Sequence, residues 1–186
     1  MDPVHTALLA MPGLGRVIDA GCGRGQVGVA LLEAGHATAV VAIDKDANAL
    51  AQLEHAAAGL AVRTRHADLA SWGGEIADTV LLIDVLYQFA TEQQLAVLRH
   101  AAGVAGQTVI IRASDPARGW RSMVSALLER LGRDWWPTFG ARSNPLPIGR
   151  LTQTLAECGF QVSTRPCAEG TPLAGMLLVG TRIRAA

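Results

Sequence analysis

Short apolar segments alternate with amphipathic ones along the first 113 residues of this 186-residue chain. RVIDA (16–20), TAVVAI (38–43), AVRTR (61–65), DTVLLID (78–84) and QTVIIRA (107–113) are brief and mostly β-branched or aliphatic, which predicts strands. Between them, 26–34, 46–58 and 91–102 carry a helical pattern. Thr91 has Gln94 three positions on, the spacing of a capping box, and Leu95, Leu98 and Ala102 recur behind it at helical spacing. Continuous apolar strands separated by helices call for a sheet covered on both faces, since such strands have no polar face to turn to water. The expected fold is α/β, a Rossmann-like doubly wound sheet that is mostly parallel.

After residue 113 the rhythm changes. A helix is predicted over 118–131, followed by the irregular GRDWWPTFGARSNPLP, rich in Pro, Gly and Trp. A last helix over 149–158 stops at Gly159, a typical glycine terminator. FQVSTRPCA and LAGMLLVGTRI then read as two strands joined by the turn-like EGTP, forming an antiparallel hairpin at the sheet edge.

Composition narrows the class. Half of the residues are hydrophobic and 17% are charged, which excludes a disordered chain, and the length suits one domain, 1–186. Net charge is zero and the 16 basic residues are scattered, with Lys45 the single lysine, so nucleic acid is not the expected partner. Cys22, Cys158 and Cys167 lack metal-ligand or disulfide spacing, which makes a reducing cytoplasm the expected setting. No apolar run is long enough to span a bilayer, and no basic-then-apolar leader opens the chain. Nothing in the pattern indicates an oligomeric state.

Candidate chemistry centres on VIDAGCGRGQVG, residues 17–28, where an apolar strand ends in an acid and runs into a loop with glycines at 21, 23 and 25. Gly23 to Gly28 matches the dinucleotide spacing GxGxxG, but out of phase. The strand ends near Ala20, so the turn begins at Gly21, and counted from there the third fingerprint position is Gln26. Acids stand at four strand ends: Asp19, Asp44, Asp68 and Asp84. In an open parallel sheet those ends line one ligand crevice. Asp19 would repel a pyrophosphate and attract a ligand carrying a sulfonium and an ammonium group. S-adenosylmethionine is such a ligand.

These stretches resemble the motifs of class I S-adenosylmethionine-dependent methyltransferases. VIDAGCGRG resembles their first motif, which implies cofactor binding by Asp19, Gly21, Gly23 and Gly25. VVAIDKD resembles the second, whose acid, here Asp44 with Lys45 beside it, takes both ribose hydroxyls. RHADL resembles the segment whose Asp68, followed by Leu69, meets the adenine amino group. LLIDVLYQF resembles the fourth motif, with Asp84 flanking the methionine moiety and the acceptor. The resemblance spans 14–113, implied to be the cofactor-binding core, and continues in the terminal hairpin, which with the last helix makes up 148–186. It is nearest to small bacterial members that act on small molecules.

The segment 114–147 is then the expected acceptor site. Trp120, Trp135 and Trp136 lie in it with Arg118 and Arg121, and Arg112 lies close by, an aromatic wall with polar anchors suited to a small apolar or aromatic metabolite. Tyr87 and Asp115 are the candidates for a general base. No (N/D)PP(Y/F) follows strand four, which argues against methylation of bases in nucleic acid, and no metal site is expected. Cys22 reads as a spacer, and His36, His55 and His100 as surface residues. The stretch before Gly13 has room for one helical turn, with His5 a candidate for a lid. Two other readings stay open: a non-catalytic module that binds S-adenosylmethionine or its demethylated product, and an NAD-dependent oxidoreductase using Gly23–Gly28.

Overall fold

The computed structural model describes residues 3–73, 75–114, 144–167 and 175–183. Seven strands form one sheet: β1 Gly15–Ala20, β2 Ala37–Asp44, β3 Val62–His66, β4 Ala77–Ile83, β5 Ala105–Ser114, β6 Phe160–Pro166 and β7 Gly175–Arg182. Their order is β3-β2-β1-β4-β5-β7-β6, with every pair parallel except those made by β7. The helices are α1 Pro3–Leu9, α2 Gln26–Glu33, α3 Ala47–Ala56, α4 Thr91–Val104 and α5 Ile148–Glu157, with a 3-10 turn at Leu86–Gln88. This is the doubly wound, Rossmann-like architecture expected, and no described helix is long and apolar enough to cross a membrane.

Two apolar layers flank the sheet because each strand places alternate side chains on opposite faces. Val17, Val40, Leu81, Ile110 and Leu177 meet α1, α2 and α3 on one side; Ile18, Ile43, Val80, Val109 and Ile111 meet α4 and α5 on the other. The terminal hairpin lies at the edge as expected, but its second strand is the inner one. β7 carries Leu177 and Leu178, both fully buried, whereas β6 is exposed along most of its length. The more apolar strand therefore pairs with β5 and leaves the polar one outside.

Three expectations change. The N-terminal helix has two turns and packs Val4 and Leu8 into the core, with Arg165 of β6 donating to the Ala7 carbonyl at 3.0 Å. The capping box at Thr91 does not form: Ala90 is the N-cap, and the Gln94 amide turns inward instead. His36 and His100 are half-buried, and His100 packs edge-on against buried Trp72, with ring centroids 4.8 Å apart. The predicted helix over 118–131, the tryptophan-rich stretch to residue 143 and the EGTP turn lie outside the described residues.

Candidate functional site

The crevice is built by register. Asp19 pairs with Ala42 of β2 and Leu81 of β4, and Asp44 pairs with His66 of β3. Parallel pairing with this register brings the C-terminal ends of β1, β2, β3 and β4, and hence Asp19, Asp44, Asp68 and Asp84, to one end of the sheet. The loop between β1 and α2 crosses that end. Gly21 and Cys22 donate backbone N–H bonds to the Ile43 carbonyl at 2.8 and 3.1 Å, and the Gly23 N–H donates to Asp44 Oδ2 at 2.8 Å.

Glycine is required here for two different reasons. At Gly21 φ is +80°, and a Cβ would stand 2.4 Å from Val85 Cγ2. At Gly23 φ is +53° with nothing within 4 Å of the Cβ position, so the backbone faces open space where a ligand can approach it closely. Gly28, the last member of the out-of-phase fingerprint, serves packing: a Cβ there would press on Val40 at 2.9 Å. That apparent dinucleotide match is a helix–strand contact beneath α2.

Asp19 is 2% exposed, buried under the first turn of α2. Gly25, the N-cap of α2, has no side chain to offer the helix's free N–H groups. Asp19 lies beneath that start, near the Gly28 N–H, and its Oδ2 has no partner. Burial pushes its carboxyl up to about 7; the Gly28 N–H opposes this and nearby Asp44 adds to it. The same burial, with the charges of Asp19 and Asp44, raises the Cys22 thiol, so Cys22 is a poor nucleophile and the spacer reading holds.

Asp44 holds the rim. Its Oδ1 accepts from Asp46 N–H at 2.9 Å while Oδ2 holds Gly23, and Asp46, rather than Asp44, caps α3 by accepting from Asn48 and Ala49. Lys45 is exposed, and its carbonyl accepts from His66 Nε2 at 2.9 Å. Asp68 is exposed and turns the chain, taking the Ala70 N–H on Oδ1 at 2.8 Å. The Leu69 side chain is buried beneath Gly21, which leaves only its backbone to meet a ligand.

Asp84 has φ +54°, the one positive value outside glycine among the described residues. Its N–H donates to the Arg112 carbonyl at 3.2 Å, and its Oδ2 lies 3.2 Å from Arg112 Nη1, whose side chain is 10% exposed. Strained backbone held from two sides is characteristic of functional sites. Tyr87 follows in the 3-10 turn, half-buried, with its carbonyl accepting from Asn144 N–H at 3.0 Å. Asp115, Trp120, Trp135, Trp136, Arg118 and Arg121 lie outside the described residues.

Sequence reasoning missed Gln94. This helical residue is 1% exposed, and its amide donates to the Phe89 carbonyl at 2.9 Å and the Asn144 carbonyl at 2.6 Å, tying the turn after β4 to the chain entering α5. A glutamine one turn into a helix looks like surface decoration or a capping partner; only the packed neighbours show otherwise.

A family model described as a methyltransferase domain matches residues 17–107. Among solved structures, magnesium protoporphyrin IX methyltransferase from Synechocystis PCC 6803, crystallised with S-adenosylhomocysteine, superposes with a TM-score of 0.74 at 25% identity, covering 97% of this chain and 80% of its own. The S-adenosylmethionine-dependent methyltransferase SibL gives 0.74 at 27% identity, over 97% of this chain and 55% of its own. The N-methyltransferase NodS from Bradyrhizobium japonicum WM9 shares the fold at 14% identity, with a TM-score of 0.71 and coverage of 97% and 86%. No curated protein sequence matches. With its glycine loop, its strand-end acids and the 3-2-1-4-5-7-6 sheet, this chain carries a methyltransferase domain of the class I fold, with S-adenosylmethionine as cofactor.

Proposed function

We propose that the protein transfers a methyl group to a small, apolar or aromatic metabolite. The observation that carries the cofactor half of this reading is the crevice itself: an open backbone at Gly23, an acid at each rim position and a buried carboxylate oxygen without a partner. That set fits a ligand that is cationic and free of phosphate. In this reading Asp44 takes the ribose hydroxyls, exchanging the Gly23 N–H that now occupies its Oδ2. Asp68 with the Leu69 backbone meets the adenine. Asp19 acts through the glycine loop, supplying negative potential beneath it for the ammonium group. Asp84 and the turn after it flank the methionine end.

The bound cofactor supplies an electrophilic methyl group on a sulfonium. The chain's share is alignment, which can supply several kcal/mol of the barrier, and exclusion of water. Tyr87 on its 3-10 turn and Asp115 are the groups proposed to accept a proton from an acceptor that carries one, with 114–147 as the acceptor segment. The neighbour from Synechocystis PCC 6803 is, by its name, a methyltransferase of magnesium protoporphyrin IX, which supports a small-molecule acceptor here.

A screen of aromatic and apolar metabolites with radiolabelled S-adenosylmethionine tests this. At least one should be methylated, and Tyr87→Phe should slow that transfer at least about tenfold while cofactor affinity stays within about 0.5 kcal/mol. Methylation of protein or nucleic acid only, with no small acceptor, would overturn the proposed acceptor class.

A further inference from the structure

The sheet face carrying α4 and α5 is unevenly covered. α4 packs on β4 and β5, and α5 on β6 and β7. The described residues between β3 and β4 form turns rather than a helix, so the adjoining part of β2 and β3 lies beneath a loop. A cleft of about 260 Å³ opens there at the N-terminal ends of β1, β3 and β4, the opposite end of the sheet from the cofactor crevice.

Register explains its lining. Arg16 pairs with Ala39, Ile18 with Val41, and Val41 with Arg63, so these side chains share one face. Ala39 and Val41 make an apolar floor, and Ile76, at 68% exposure, stands on the rim. Glu75 joins the two arginines: its Oε1 lies 3.5 Å from Arg16 Nη2 and its Oε2 contacts Arg63 Nη2. The other acid nearby, Asp78, is occupied, with one oxygen taking the Arg16 backbone N–H at 2.8 Å and the other Gln107 Nε2 at 3.1 Å. Arg65, next along the same face of β3, donates to the Gly73 carbonyl.

Two guanidiniums thus share one carboxylate above an apolar floor. Each has five N–H donors, and the Arg16 and Arg63 side chains are 58% and 65% exposed, so their pairs with Glu75 are weak and exchangeable. Counting Asp78, whose neutral partners leave its charge in place, and Arg65, three guanidiniums face two carboxylates, so the surplus is one positive charge, in forks that match a carboxylate bidentately. We propose that this cleft is a second binding site, for a small amphipathic anion: a carboxylate on a flat apolar body, the body on Ala39 and Val41 and the charge on Arg63 and Arg16.

The test is an NMR titration of 2-naphthoate into the protein saturated with S-adenosylhomocysteine. Saturable shifts are expected at the amides of Ala39, Val41, Arg63 and Ile76, unaffected by cofactor occupancy. The uncharged 2-naphthamide should bind about fivefold or more weakly, and Arg63→Gln should weaken naphthoate by a similar factor, with Arg63→Lys between the two. Because Arg63 is exposed, these variants retain the fold. No saturable shifts at these amides, competition by S-adenosylhomocysteine, or equal affinity for the amide or for Arg63→Gln would each overturn the site.

Discussion

The carboxyl of Asp19 sits beneath the start of α2, which Gly25 leaves uncapped, and keeps one oxygen unpaired under the glycine loop. Ionising this buried carboxyl costs folding energy, and a cation arriving above it offsets that cost. The pH dependence follows from burial. With the carboxyl pushed from 3.8 up to about 7, the folded protein holds a proton across that window that the unfolded chain has released. Its contribution to stability is therefore full below about pH 4 and lost as pH rises through 7. Asp19→Asn removes this loss: in urea unfolding of the apo protein, the difference between variant and wild type should grow from pH 5 to 8, reaching about 1–3 kcal/mol in the variant's favour. The same variant should bind S-adenosylmethionine and S-adenosylhomocysteine more weakly. A difference independent of pH would show that Asp19 is not the titrating group. Glycines and acids of this loop were legible in the sequence; the burial of Asp19 was not, because it depends on where α2 lands.

At the scale of elements, α4 does more than cover the sheet. Its Gln94 holds the carbonyls of Phe89 and Asn144, and Asn144 in turn donates to the Tyr87 carbonyl and reaches Thr91 Oγ1 at 3.3 Å. One buried amide thereby fixes the turn after β4 against the start of the α5 segment. Gln94→Leu keeps the bulk and removes both donors, leaving two carbonyls short of partners. It should cost about 1–3 kcal/mol in chemical denaturation and lower methyl transfer more than cofactor affinity, since Tyr87 rides on that turn. A loss below about 0.5 kcal/mol would show that water replaces the amide. The apolar periodicity that predicted α4 carries no information about this, because the partners lie 5 and 50 residues away in the chain.

For the whole molecule, the cofactor crevice joins the ends of β1, β2, β3 and β4, so a ligand seated there ties together elements from both halves of the core. Binding to the folded state alone should stabilise it: at a concentration ~100 times Kd the gain is ~2.7 kcal/mol, raising Tm by roughly 5–10 °C for a chain of this size. Calorimetry should show this with S-adenosylhomocysteine and not with NADH. The reverse pattern would restore the dinucleotide reading that the packing of Gly28 against Val40 argues against.

The alternation of apolar strands and amphipathic helices was enough to determine the doubly wound sheet, because strands without a polar face can be satisfied only between two helical layers. The order of glycines and acids was enough to indicate a cationic ligand, since charge and the need for open backbone are properties of residue types. What sequence could not supply is anything set by neighbours distant along the chain. That β7 rather than β6 lies against β5 follows from which strand buries more apolar surface in the finished sheet. The one-phase shift that makes Gly28 a packing residue, the pairing of strained Asp84 with Arg112, and the inward turn of Gln94 arise from register and packing, which exist only once the elements have met.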